Sequence, residues 1–343
     1  MTPARPSSLA GLASPFVIAE IGVNHDGSVA RAKELVDAAR AAGADAAKFQ
    51  MFDARMLMSL DSVLADYQRE RGARDPRDLL QGLQLAPAAL GELCAHCAQS
   101  GILPMVTVFS LPLVDEAARQ GWRAFKMASP DLVNRPLLEA IAALGRPLVV
   151  STGAATIDEV AQAARWLDRF DDVAFLQCVS SYPAAEARAS LGAMRAIAAA
   201  TGRDVGYSDH TPATDTGALA VAAGARVLEK HLTHDRAAPG PDHAASLDPA
   251  QFTEYVRLAR RAATMLGGDA KELLEVERDV RAVSRQSIVA AHALPAGHVL
   301  VRGDLEVKRP GTGVSAARLD ETVGRTLARA VEADRVLVEE DLA

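Results

Sequence analysis

The sequence predicts a (β/α)8 barrel, the TIM-barrel fold, followed by a small β-rich module. Three observations carry that prediction. Short apolar runs alternate with alanine-rich helical stretches eight times over about 260 residues, the size of one closed barrel. No G-x-G-x-x-G follows the first run, as an open dinucleotide-binding sheet would require. From about residue 283 the rhythm stops and a short repeat replaces it.

The strand candidates are "FVIAE" (16–20), "AAKFQ" (46–50), "PMVTVF" (104–109), "AFKMAS" (124–129), "PLVVST" (147–152), "VAFLQCVSS" (173–181), "DVGYSDH" (204–210) and "RVLEKHLTH" (226–234). Helical stretches such as "VARAKELVDAARAAG" and "TIDEVAQAARWLDRF" separate them, and "PAQFTEYVRLARRAATML" follows the last. Gly43, Gly101, Gly121, Gly145, Gly202 and Gly224 fall near helix ends, where a left-handed cap favours glycine. Strand–helix alternation means parallel strands joined by right-handed crossovers. The connection after the second strand, residues 51–86, is long and charged. It lies on the C-terminal side of the strands, so it either covers a site or is a solvated excursion.

In the module, "ALPAGHVLVRGDLE" (293–306) and "AVEADRVLVEEDLA" (330–343) agree at seven of fourteen positions. Such a unit is too small to have much core of its own, so it is expected to dock on a barrel. The expected organisation is a tail (1–14), a barrel (15–275), a linker (276–284) and the module (285–343).

The 343 residues carry a net charge of −7, which excludes a broad basic face for nucleic acid. No apolar run approaches a membrane span. The start, "MTPARPSSLAGLASP", lacks the sustained apolar core of a signal peptide. Three cysteines, an odd and small number, suggest reduced thiols in a cytoplasm. Cys94 and Cys97 have redox or zinc spacing, but they share one face of a helical stretch with no second pair to complete a zinc site.

In a barrel the acting side chains sit at the C-terminal strand ends. There the sequence places Glu20, Lys48, Gln50, Thr107, Lys126, Ser129, Ser151, Ser180, Tyr182, Ser208, His210, Glu229 and His231. Two lysines and several hydroxyls on one rim of an acidic protein suit a phosphate or carboxylate ligand. Each has an ordinary alternative: a lysine near a strand end snorkels to solvent, and a serine there caps a turn. Lys48 and Lys126 sit inside apolar runs, which favours an inward course. His210 and His231 end consecutive strands, so two imidazoles can meet a divalent metal. Glu20 is either a proton carrier or a structural ion-pair carboxylate. Glu229 shares the parity of His231, whereas Lys230 and Leu232 should face the helix layer, where Lys230 needs a partner. His234 falls in the following loop, outside the metal pair.

The ordered set "FVIAEIGVNHDG", "AAKFQ", "FKMASPD", "STG", "GYSDHT", "LEKHLT", "PGPDH" and "VKRPGTG" resembles the sialic acid synthase family, from about residue 15 to the end. The module resembles the antifreeze-like (SAF) domain that completes those enzymes. The resemblance implies a transferase that condenses phosphoenolpyruvate with an N-acylated hexosamine and water, giving a nonulosonic acid and phosphate. It implies a homodimer in which each SAF domain is swapped over the partner's site. It also implies roles. Glu20 is the catalytic glutamate, with Lys48 and Lys126 beside it. Lys48, Thr107, Lys126, Ser129, Ser151, Ser180 and Ser208 bind phosphoenolpyruvate. Gln50, Tyr182, Asp242 and Arg309 contact the sugar, and His210 and His231 bind the metal, Mn²⁺ favoured, with Mg²⁺ or Co²⁺ as alternatives.

The sixth strand departs from the family's pattern. "QCVSSYP" puts Gln177 and Ser180 where neuraminate-forming members often carry a histidine and an asparagine. The sugar therefore stays open, with legionaminate, pseudaminate and spore-coat-type acids as alternatives. A synthase acting on a sugar phosphate and a non-catalytic carbohydrate-binding protein are the remaining readings.

Overall fold

Eight parallel strands close into a barrel in chain order, β8 pairing back onto β1. They are β1 (Phe16–Gly22), β2 (Ala46–Met51), β3 (Leu103–Val108), β4 (Ala124–Met127), β5 (Leu148–Ser151), β6 (Val173–Cys178), β7 (Asp204–Asp209) and β8 (Val227–His231). The structure is a computed structural model that describes residues 15–63, 75–268 and 270–343. The expected tail 1–14 and part of the long connection lie outside them.

Helices follow each strand: α1 (Val29–Ala41); then α2 (Ala54–Leu57), α3 (Pro76–Leu83) and α4 (Pro87–Ser100); then α5 (Val114–Arg119), α6 (Arg135–Ala142), α7 (Ile157–Trp166), α8 (Ala193–Thr201), α9 (Thr216–Ala222) and α10 (Pro249–Leu266). Local chemistry sets their ends. Thr156 with Glu159 and Asp248 with Gln251 form capping boxes, and Pro249 opens α10 where its missing N–H costs nothing. Gly101 and Gly202 close α4 and α8 at φ +72° and +64°. The described part of the 51–86 connection contains two short helices, α2 and α3, which Asp53 and Asp75 cap through their side chains. Cys94 and Cys97 are buried, unpaired thiols on the core face of α4. Burial pushes Cys94 up to about 11 and Cys97 further up, which leaves both inert.

The two-residue period of the strands sorts the core into layers. Phe16, Ile18, Ala46, Met105, Val149, Leu176 and Val227 fill the lower barrel interior. Val17, Phe49, Val106, Phe125, Phe175 and Leu228 face outward and pack under the helices. In the upper interior the same parity brings polar groups inside, and Glu20, Lys48, Thr107, Lys126, Ser151, Ser208 and Glu229 are all buried there.

The chain divides into two compact units, Met1–Gly267 and Gly268–Ala343. The second unit begins ahead of the expected boundary. Residues 276–284, read from sequence as a linker, include α11 (Arg278–Ser284). Beyond it β9 (Ser287–Ala290) pairs antiparallel with β10 (Leu305–Lys308), and α12 (Leu319–Thr322) follows. Ile288, Leu294, Leu300, Leu305, Leu327 and Leu337 form this unit's own small core. The sequence repeat is a structural repeat. Asp304 and Asp341 each accept a hydrogen bond from the backbone N–H three residues earlier, at 2.8 Å. Among the described residues no helix is long and apolar enough to cross a membrane.

Gly206 on β7 is a test of the interior packing. A Cβ there would stand 2.1 Å from the Val227 carbonyl oxygen and 2.6 Å from a Leu176 methyl. Gly206→Ala should cost about 1–3 kcal/mol. Scanning calorimetry should find a lower melting temperature, and an unchanged one would contradict this packing.

Candidate active site

Glu20, Lys48, Thr107, Lys126, Ser208, Glu229 and His231 converge because the strands bring them level. In the ladders Glu20 pairs with both Lys48 and His231, Thr107 with Lys126, and Ser208 with Glu229. They line a cavity of about 370 Å³ at the C-terminal end of the barrel.

At its floor two lysines and two carboxylates meet. Lys48 Nζ lies 2.5 Å from Glu20 Oε2 and donates to Thr107 Oγ1 at 2.9 Å. Lys126 Nζ donates to Ser151 Oγ at 2.5 Å and to the Met127 carbonyl at 2.8 Å. Glu229 stands between them, 3.7 Å from Lys48 and 3.9 Å from Lys126, and accepts a 2.8 Å bond from Ser208 Oγ. Gln50 Nε2 donates to Glu20 Oε1 at 2.7 Å.

The environments drive the carboxylates apart. Burial pushes Glu229 up, but Lys126 and Lys48, helped by Ser208, bring it down to about 2. Burial pushes Glu20 up, Lys48 opposes, and the nearby Glu229 charge adds to the rise, so the net shift is upward. Burial weakens the charge of both lysines. The two carboxylates reverse that at Lys48, whereas at Lys126 burial wins. Glu229 is therefore a fixed anion and Glu20 a group able to carry a proton.

Beside the lysines a cradle forms. Ser129 Oγ accepts from the Gly153 N–H at 2.9 Å, and Ser151 and Ser180 line the same cavity. A Cβ on Gly153 would come within 2.3 Å of Ser180 Oγ, 2.9 Å of Ser129 Oγ and 3.2 Å of Cys178 Sγ. Only glycine lets Ser129, Cys178 and Ser180 pack this closely against the backbone behind the cavity wall.

On another wall the His210 and His231 rings lie 5.5 Å apart, with Tyr182 stacked on His210 at 4.0 Å and edge-on to His231 at 5.7 Å. The Val179 carbonyl, 2.7 Å from His210 Nδ1, assigns the proton to that nitrogen and leaves Nε2 for a ligand. His231 Nδ1 is buried without a hydrogen bond, 3.6 Å from Asp242. Burial first, then His210, pull the His231 proton affinity far down, so its ring is neutral. At His210 burial acts the same way, but Cys178 at 3.8 Å reverses it. Two adjacent imidazoles, one with only a long 3.5 Å contact from His210 Nε2 to Ser208 Oγ and one with His231 Nδ1 unbonded, fit a divalent cation. Among the described residues no set of three His, Cys, Asp or Glu side chains could hold one alone, so further ligands would come from water or substrate.

The remaining wall is apolar. Leu79, Leu80 and Leu83 of α3 line it with Val23 and Phe109. Gln50, Tyr182 and Asp242 line the cavity too, whereas Arg309 belongs to the second unit, where it is exposed just after β10. His234 packs edge-on against His243 and does not line the cavity. Asn24 is structural, donating to the Leu232 carbonyl and to Ser246.

Residues 35–271 match the NeuB family and residues 285–343 match the SAF domain. The chain belongs to the NeuB family. It is 35% identical to an N,N'-diacetyllegionaminic acid synthase of Campylobacter jejuni over 94% of this chain and 99% of that one. It is 36% identical to the synthase of the same name from Legionella pneumophila, over 95% and 94%. In fold it is similar to a putative spore coat polysaccharide biosynthesis protein E from Chromobacterium violaceum, with a TM-score of 0.81 and 26% identity over 96% of this chain and all of that one. The resemblance drawn from the motifs, and the barrel followed by a SAF domain, are borne out.

In this NeuB-family barrel, three features exceed the sequence reading. Glu229 was read only as sharing the parity of His231, yet it sits between both lysines. Gly153 and Cys178 were not singled out. The one available signal was parity, since Cys178 is in step with Leu176 on β6. Lys230 faces the helix layer as its parity requires, and its partner there is Asp209.

The depressed Glu229 pKa gives a prediction with a definite sign. Its ionised form favours the fold, so its contribution is complete above the ordinary value of 4.5 and lost as pH falls toward 2. Glu229→Gln should destabilise the protein near neutrality by about 3–5 kcal/mol, having stranded buried cations. The gap from wild type in denaturant unfolding should narrow below pH 4.5. A gap independent of pH would contradict the assignment.

Proposed function

We propose that this chain condenses phosphoenolpyruvate with an N-acylated amino sugar and water, releasing phosphate and a sialic-type nonulosonic acid. The observation that carries this reading is the paired buried lysines, flanked by hydroxyls, in one cavity with two adjacent histidines. Lys48 with Thr107 and Lys126 with Ser151 would hold the two anionic ends of phosphoenolpyruvate. Ser129, Ser180 and Ser208 add neutral donors, and Gly153 lets Ser129 and Ser180 sit close against the backbone.

The open-chain sugar would lie toward Gln50, Tyr182 and Asp242, with its aldehyde carbon facing C3 of phosphoenolpyruvate. His210 and His231 would hold a divalent metal, Mn²⁺ favoured, which when bound supplies Lewis-acid polarisation of a sugar oxygen. The C3–C1 bond forms as the aldehyde oxygen takes a proton. Water adds at C2 and gives up a proton, and the C2–O bond to phosphate then breaks. Glu20, with its raised pKa, is the group to move these protons. Arg309, from a SAF domain exchanged within a homodimer, would meet the acyl group. A cytoplasmic location suits an enzyme that draws on phosphoenolpyruvate.

The leucine wall favours an acylated sugar over a phosphorylated one, because the described cavity has only two cations, both engaged at the floor. The names of the relatives sharpen this toward a diacylated sugar, making a legionaminic-type acid at least as well supported as neuraminic acid.

The deciding experiment incubates the protein with Mn²⁺, phosphoenolpyruvate and a sugar panel: N-acetylmannosamine, its 6-phosphate and diacylated hexosamines. Phosphate release and product mass are read. Acylated, unphosphorylated sugars should be consumed, and a chelator should stop the reaction. Turnover only of the phosphate ester would overturn the sugar reading, and silence across the panel would overturn the reaction.

A second prediction isolates the cradle. Gly153→Ala should raise the KM for phosphoenolpyruvate by at least tenfold, the usual scale for one lost contact to a charged group. The KM for the sugar should change little. Equal effects on both would contradict the placement of phosphate there.

A further inference from the structure

Behind the cavity, on the outward faces of β7 and β8, lies a charge pair with no role in the chemistry above. Asp209 and Lys230 are both 0% exposed. Lys230 Nζ stands 3.4 Å from Asp209 Oδ2, donates to the Thr211 carbonyl, and lies 5.8 Å from the Tyr255 ring centre. Asp209 Oδ1 accepts from both the backbone N–H and the hydroxyl of Thr211, each at 2.8 Å. Tyr255 is held firmly in turn, since a Cβ on Gly217 of α9 would come within 2.4 Å of its ring.

Such a pair is a poor device for stability alone. Desolvating two ions costs several kcal/mol, and apolar side chains of similar volume often do as well or better. Its position suggests what it does instead. Asp209 and Lys230 are the last partners of the β7–β8 ladder. Each immediately precedes a cavity histidine, and alternation sends the two histidines inward.

His231 is still within β8, but His210 lies one residue past the end of β7. No β7–β8 ladder pair holds its backbone. The residue after it, Thr211, is gripped twice: Asp209 holds its N–H and hydroxyl, and Lys230, reaching from the other strand, holds its carbonyl. The clamp thus ties the backbone on the far side of His210 to the strand that carries His231.

We propose that Asp209, Lys230 and Thr211 form a positioning clamp that sets the spacing of His210 and His231. The proposal rests on the reading that these histidines hold a divalent metal. Residues behind metal-binding histidines that fix ring placement commonly govern affinity by ten- to a hundredfold.

The test uses the full chain and Mn²⁺ alone, titrated by calorimetry or by electron paramagnetic resonance. Phosphoenolpyruvate binding without metal is measured in parallel. The double variant Asp209→Asn/Lys230→Met removes both charges at nearly constant volume. Its Mn²⁺ affinity should fall at least about tenfold. Phosphoenolpyruvate affinity and the circular dichroism spectrum should stay close to wild type, a split that a merely structural role would not give.

If the folded double variant binds Mn²⁺ as wild type does, the clamp is overturned while the metal reading stands. If the wild-type chain binds no Mn²⁺, the metal reading falls and takes the clamp with it. Should the double variant not fold, Thr211→Val reads the same quantity, removing the hydroxyl's bonds to Asp209 and Thr216 at constant volume. A loss of about threefold or more is expected there, and unchanged affinity overturns the clamp.

Discussion

The upper barrel depends on one constraint: four ionisable groups must share a dry space without leaving any charge alone. Glu20, Lys48, Lys126 and Glu229 are each at most 4% exposed. Burial opposes the charged form of every one. What keeps Lys48 charged is first Glu20 and then Glu229, and what keeps Glu229 ionised is first Lys126 and then Lys48. That dependence is also what makes the floor responsive. An anion entering between the lysines competes with both carboxylates, and Glu20, held to Lys48 at 2.5 Å, stands most directly in its way. Relieved of Lys48, a buried carboxylate beside an ionised Glu229 is pushed further toward its protonated form. An anion bound there would thereby be linked to the readiness of Glu20 to give a proton.

The constraint propagates outward through side-chain parity. A strand that places Glu229 and His231 inside must place Leu228 and Lys230 outside. A lysine beneath the helix layer needs an anion within reach, which Asp209 provides from the next strand. One pair of strands thus turns cavity-lining groups inward on one face and a buried Asp209–Lys230 pair outward on the other. Neither face can shift by a residue without inverting both.

Much of this was legible because period two is a strict rule. Lys48 within "AAKFQ" and Lys126 within "AFKMAS" are lysines inside apolar runs, and parity alone turns them toward the barrel axis. His210 and His231 were legible as ends of consecutive strands. Gly153 was not, because a glycine in "STG" reads as a turn. Its part depends on Ser129 and Ser180, which arrive from other strands at no fixed spacing. The apolar wall was missed for another reason. The 51–86 connection was read for its charge, whereas the folded segment uses three leucines spaced for one turn of α3. The stretch 276–284, read as a linker, holds α11, which belongs to the second unit.

The second unit shows how a repeat holds its shape while its chemistry diverges. Asp304 and Asp341 cap equivalent turns in the same way, and Gly297 and Asp334 occupy equivalent left-handed positions. Their side-chain partners differ. Asp304 meets His292 and His298, while Asp341 meets Arg329, the counterpart of His292. A guanidinium stays charged across the physiological range, whereas an imidazole does not. The backbone cap is the common element that holds both turns. The pairing around it has been free to change because the N–H bond, rather than the surface charge, fixes the turn.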